Sequence, residues 1–232
     1  MREDWSLSAC LHLLLTILGW QVLAYLGLYL AGSVLEAFLP AGFLADWDWP
    51  LGFLTLEGVG LYILYRHRSR GGVKPLWCSE ELRSVRTWLL LGAAVGLCVG
   101  ANLLRIWLME GGLHLHTGNL AAEPGPVRWG PTLAIIAAAS VLAPVAEEWF
   151  FRGILQETLT RRWGPAVSIP ATALLFGMLH GLSSMWVVTV YGLVFGLLAH
   201  QRNSLTLSVL VHVGVNLVAL GVPLVGQVVF YQ

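Results

Sequence analysis

Charge is what this sequence has least of. Only 11% of its 232 residues are Asp, Glu, Lys or Arg, against 57% hydrophobic, and the mean hydropathy is +0.73. A soluble domain carries charge at roughly a quarter of its positions, so that class is excluded. Lysine is almost missing: apart from Lys74 every basic residue is arginine, a bias that fits a GC-rich genome. Thirteen basic residues balance thirteen acidic ones, and a net charge of zero offers nothing to a nucleic acid. The three cysteines, Cys10, Cys78 and Cys98, are odd in number and lack CxxC spacing, so they read as free thiols. No repeat of 20–50 residues recurs, which argues against a solenoid, and the halves show no mutual similarity, which weakens an inverted-repeat transporter.

What is present is a series of apolar runs, most of them close to or above the length of about 20 residues that a span needs. They predict an all-α, polytopic integral membrane protein with about seven to eight transmembrane helices. Helix 1 is expected over 8–38, stopped by Leu39-Pro40-Ala41-Gly42. The acidic, aromatic stretch from Asp46 to Pro50 reads as an interfacial loop before a helix over 51–65. An amphipathic connection over 79–86 precedes a helix over 87–109. The remaining helices are expected over 131–160, 165–181, 184–200 and 204–220, with Gly221-Val222-Pro223 breaking the last before a short apolar tail. Alternating these spans from a cytoplasmic N-terminus puts Arg2, Arg66, Arg68, Arg70, Lys74, Arg83, Arg86, Arg161, Arg162 and Arg202 inside and Arg128 outside. The positive-inside rule therefore selects N-terminus in. The chain reads as one membrane domain, with a catalytic core over 130–220 and N-terminal transmembrane helices over 1–129.

Within the fourth run the sequence Glu147-Glu-Trp-Phe-Phe-Arg152 places three ionisable residues in six apolar positions. Each costs on the order of 2.5–3.5 kcal/mol at the bilayer centre, so a role is expected for them. Glu148 and Arg152 are i,i+4 neighbours and can pair. Glu147 points about 100° away and has no local cation, which suits a proton acceptor. A purely structural ion network is the competing reading. Glu57 and Arg105, at similar depth on helices 2 and 3, predict a second salt bridge, and Glu157 sits at the interface within a turn of Arg161.

Two further i,i+4 pairs occur in later spans: Phe176 with His180, and His212 with Asn216. Counting about 1.5 Å per residue puts Glu147, His180, His212 and Asn216 at comparable depths. Gly177, Gly181, Gly192, Gly196 and Gly214 let those helices approach closely. The inventory suits amide hydrolysis by an activated water: Glu147 deprotonates it, His180 holds it and shuttles its proton, and His212 and Asn216 donate to the oxyanion. Each histidine alone has a plainer reading as a neutral imidazole satisfied by a carbonyl. The loop pair His114 and His116 lacks an obvious third ligand.

Glu-Glu-x-x-Phe-Arg-Gly, Phe-x-x-x-His and His-x-x-x-Asn, in this order on successive apolar helices, resemble the CPBP family of intramembrane proteases, which includes the type II CAAX prenyl endopeptidases. The resemblance covers roughly Ser140 to Leu220. It implies that Glu147 and His180 activate water and that His212 and Asn216 form the oxyanion hole, with Glu148 and Arg152 in support. There is no HExxH of a zinc protease, no GxGD of an aspartyl intramembrane protease, and Gly181-Leu-Ser-Ser184 lacks the closing glycine of a rhomboid. No cofactor is expected; the alternative is a zinc ion held by Glu147, His180 and His212. The expected partners are the bilayer and a membrane-associated protein or peptide, lipidated or C-terminally anchored, and the expected place is a bacterial cytoplasmic membrane. Two other classes compete: a non-catalytic binder or bacteriocin-immunity protein that captures a lipidated peptide, and a proton-coupled transporter.

Overall fold

Long apolar runs with few breakers give helices, because a chain in lipid must satisfy its backbone internally. The computed structural model describes residues 5–36, 38–39, 43–67, 73–110 and 127–230, and all of the regular structure among them is helical. Seven helices follow one another: α1 (Leu7–Leu35), α2 (Phe43–Arg66), α3 (Val85–Glu110), α4 (Trp129–Trp163), α5 (Pro165–Met178), α6 (Met185–Arg202) and α7 (Thr206–Phe230). A single 3-10 turn, Ser79–Arg83, precedes α3. By length and composition α1, α3 and α4 can each cross a membrane, and shorter apolar stretches lie in α5 and α7. The protein is an all-α integral membrane protein.

Local chemistry sets several ends. The Ser6 hydroxyl accepts the Ala9 amide at 3.1 Å and caps α1. Gly164, at φ 75°, makes the turn from α4 into α5, where Pro165 takes the first helical position. Asn203, at φ 50°, closes α6 in the left-handed region that asparagine tolerates.

Three expectations need correction. The stretch from Asp46 to Pro50 is not a loop: α2 starts at Phe43 and contains Pro50 near its N-terminal end, where only the Asp46 carbonyl loses a donor. Pro223 does not end the last helix, which runs on to Phe230 because the neighbouring apolar residues keep a helical backbone. Lys74, counted with the inside charges that set the orientation, is not a free loop cation. It is buried, its Nζ 3.3 Å from Glu157 and donating to the Ala199 carbonyl at 3.0 Å, where the C-terminal end of α6 favours a cation. Arg2, Arg68, Arg70, Pro40 to Gly42, and the histidine pair at 114 and 116 lie outside the described residues.

One apolar cluster draws on all seven helices, with Leu13, Leu64, Cys98, Phe150, Phe176, Phe195 and Val211 among its members. α1 packs mainly on α2 and leaves Leu15, Trp20, Leu23 and Tyr29 exposed, as a lipid-facing helix does. The closest packing joins α5 and α6. A Cβ on Gly192 would come within 2.8 Å of Ala173 Cα, so only glycine fits there. Gly196 abuts Gln156 and Gly214 abuts Val95. Gly181 differs from the expectation: a Cβ added to it would meet nothing within 4 Å, and its φ of 84° makes it a turn residue after α5.

Candidate active site

α4 departs from α-geometry twice, with i→i+5 turns over Ala138–Leu142 and Trp149–Leu155. Such π turns are concentrated at functional sites. The first has a visible cause. Its Ala143 amide bonds to the Ala138 carbonyl, so in the same register the Ala139 carbonyl faces Pro144, which has no N–H. That freed acceptor is taken by Asn216, whose Nδ2 donates to it at 2.8 Å.

The second π turn arranges a row. In an α-helix, residues i, i+4 and i+8 drift by about 40° at each step. A wider turn offsets most of that drift, and Glu148, Arg152 and Gln156 face the same way into the core, at 0%, 0% and 1% exposure. Arg152 Nη1 is 3.0 Å from Glu148 Oε1. Its guanidinium lies 4.3 Å above the Phe176 ring, a cation–π contact in a desolvated setting. Arg152 Nη2 reaches the Gly192 carbonyl at 3.4 Å, and Gln156 Nε2 donates to the Gly196 carbonyl at 3.0 Å. The two α6 glycines expose those carbonyls because no side chain covers them. Gln156 was not anticipated from the sequence, although a polar residue eight positions after Glu148 in an apolar run was a usable signal.

His212 enters this row from α7. Its Nδ1 lies 3.1 Å from Glu148 Oε1, and its ring stacks on Phe195 at 4.6 Å. A carboxylate only accepts, so Nδ1 carries the proton. Its Nε2 then faces Glu147 Oε2 at 3.7 Å. Glu147 differs from its neighbour. Its side chain is 27% exposed, and its buried Oε2 has no hydrogen-bond partner among the described residues.

His180 lies just past the end of α5, on an exposed turn. Its Nδ1 donates to the Phe176 carbonyl at 2.8 Å, which leaves Nε2 with a free lone pair. Its ring sits 4.5 Å from Phe176, and Phe176 is 5.8 Å from His212. Glu147, Glu148, Arg152 and His212 therefore meet directly. His180 joins them across the Phe176 ring, and Asn216 is held nearer the start of α4 by Ala139. Glu57 and Arg105 do not pair: Arg105 Nε donates to Asn102 at 3.1 Å, while α2 packs on α4 and brings Glu57 into electrostatic range of Glu147. Among the described residues, no three His, Cys, Asp or Glu side chains gather as a metal-ligand set.

An all-helical membrane protein in which Glu147, Glu148 and Arg152 of α4 meet His212 of α7, with His180 beyond the Phe176 ring, is the class these observations define. Residues 129–218 match the family model described as Rce1-like, type II CAAX prenyl endopeptidase, a match that supports the resemblance to CPBP/CAAX proteases over that segment. The matched segment contains all six candidate residues and leaves α1, α2 and α3 outside. No curated protein and no solved structure is significantly similar to the chain.

Proposed function

We propose that the protein is a glutamate-dependent intramembrane endopeptidase that hydrolyses a peptide bond of a membrane-associated protein or peptide, lipidated or C-terminally anchored. The observation that carries this reading is the contrast between adjacent carboxylates: Glu148 is fully buried and tied through Oε1 to Arg152 and His212, while Glu147 is 27% exposed and makes no hydrogen bond among the described residues. A water beside Glu147 loses a proton to it as its oxygen attacks the carbonyl carbon. His180 Nε2 holds that water. The tetrahedral oxyanion takes hydrogen bonds from His212 and Asn216, and Asn216 has a second Nδ2–H beyond the one spent on Ala139. The proton then passes to the departing nitrogen, the C–N bond breaks, and a carboxylate and an amine leave.

Seven spans from a cytoplasmic N-terminus, in a bacterial cytoplasmic membrane, complete the proposal. So does one membrane domain, with its catalytic core over 130–220 and its N-terminal helices over 1–129. No cofactor enters the scheme.

A second reading concerns His212 alone. With Nδ1–H held by Glu148, the ring donates to an oxyanion only when doubly protonated, and otherwise its Nε2 is a base beside Glu147. His212→Gln keeps a donor and removes the base. Cleavage within about tenfold of wild type supports the oxyanion role, and a loss of the usual general-base size, about 10²–10⁴, supports the base.

The test of the whole proposal maps new peptide ends by mass spectrometry in host membranes carrying wild type or Glu147→Gln, each with and without a chelator. Ends that need Glu147 and survive chelation support a metal-free glutamate protease. Ends lost on chelation favour zinc at Glu147, His180 and His212. Identical ends in both strains favour the peptide binder or the transporter.

A further inference from the structure

Glu57 stands outside the family-matched segment and has no cation paired with it among the described residues. On α2 it shares a stripe with Leu61, which packs on the core, and Leu64, which is 1% exposed, so it lies on the packed side of the helix. The register between α2 and α4 follows from their ends. Asp46 pairs with Arg128, and a Cβ on Gly130 would come within 3.2 Å of Trp47. α2 then packs along α4 from Trp129 as far as Glu148, so the two run in the same direction. Equal steps from the Trp47–Gly130 contact bring Glu57 level with Ser140.

Ser140 is a second, independent observation at that level. It is fully buried and its hydroxyl has no hydrogen-bond partner among the described residues. Its π turn packs against both α2 and α7, between the helices that carry Glu57 and Asn216. A buried hydroxyl left unmatched is costly, and a carboxylate in the apolar middle of a helix is more so. Both are acceptors, and both lie on the Asn216 side of Glu147.

Resting on the protease reading above, we propose that Glu57 and Ser140 form a cation-selecting subsite, which receives the ammonium or guanidinium of a basic residue close to the bond that is cut. The arriving cation supplies the partner that Glu57 lacks, with Ser140 as a second acceptor in a charge-assisted pair. Anchored there, the peptide holds its carbonyl beside Glu147, so the binding energy goes into orientation. Hydrolysis itself is complete without Glu57, which makes it a specificity-determining residue and fits its position outside the family-matched segment.

Mapping of peptide ends in host membranes tests this with Glu57→Gln, Glu57→Asp and Ser140→Ala beside wild type and Glu147→Gln, all at matched expression. The expected result is that Glu147-dependent cuts in wild type are enriched for Lys or Arg within three residues. Glu57→Gln should lower those cuts at least tenfold relative to cuts at neutral sites, whatever the common effect of its charge on Glu147. Glu57→Asp should keep the bias, and Ser140→Ala should weaken it by a smaller factor. Glu147-dependent cuts with no basic bias, or a bias that Glu57→Gln leaves intact, overturn the subsite alone. An equal fall at all sites in Glu57→Gln overturns it too, in favour of a structural role. The absence of any Glu147-dependent cut removes the protease reading and the subsite together.

Discussion

Glu147 and Glu148 are adjacent in the chain and opposite in surroundings. On one side of α4, Glu148, Arg152 and Gln156 form a closed row whose partners are a histidine, two backbone carbonyls and an aromatic face. On the other, Glu147 is part-exposed, and His212 Nε2, 3.7 Å from its Oε2, stands beyond hydrogen-bond distance. Charge buried with its partners holds helices in place, and charge left without a partner is free to move a proton. The two faces differ by a single residue step, and the π turn beginning at Trp149 is where the closed row is straightened.

The sharpest way to break this contrast is from the closed side. Arg152→Ala leaves Glu148 buried without its cation, and losing one member of a buried pair costs about 3–5 kcal/mol. The expected outcome is a large fall in the melting temperature of the purified protein in detergent, with activity lost through unfolding. Glu147→Gln should do the reverse. Cleavage falls by about 10²–10⁴, the range for a general base, while the melting temperature stays close to that of wild type. Should Glu147→Gln unfold the protein instead, the open face would be structural after all.

Gly192→Ala asks whether the carbonyl receiving Arg152 can be displaced. The added methyl meets the Ala173 backbone at 2.8 Å, and overpacking of this kind costs about 1–3 kcal/mol. A thermal shift smaller than that of Arg152→Ala, with reduced activity in the folded fraction, is expected. The mildest change is Gly181→Ala, beside His180. Space is open there, and only the positive φ resists, at about 1 kcal/mol. A slightly lower kcat with unchanged unfolding would show that the turn aims His180 without supporting the fold.

Much of the fold was legible because lipid allows few solutions. Length and hydropathy alone were enough for an all-helical chain, and each of the seven expected spans has a helix in the structure. The Glu148–Arg152 pair was legible because i,i+4 spacing is local. What failed depended on neighbours in space. Glu57 and Arg105 match in depth and charge, yet α2 packs against α4, and depth says nothing about which way a helix faces. Lys74 counted only as one of the inside charges, and its burial follows from Glu157 and the end of α6 arriving together. Pro50 and Pro223 looked like breakers, yet their helices continue through them.

The sequence by itself determined a membrane-embedded helical protein and the three motifs Glu-Glu-x-x-Phe-Arg-Gly, Phe-x-x-x-His and His-x-x-x-Asn, because hydropathy and helical spacing act over one or two turns. Only the tertiary structure decided that His212 lies between Glu147 and Glu148, that Asn216 takes the carbonyl Pro144 leaves open, and that Glu57 comes within electrostatic range of Glu147. Those are meetings between helices, and no spacing along one chain specifies which faces will touch.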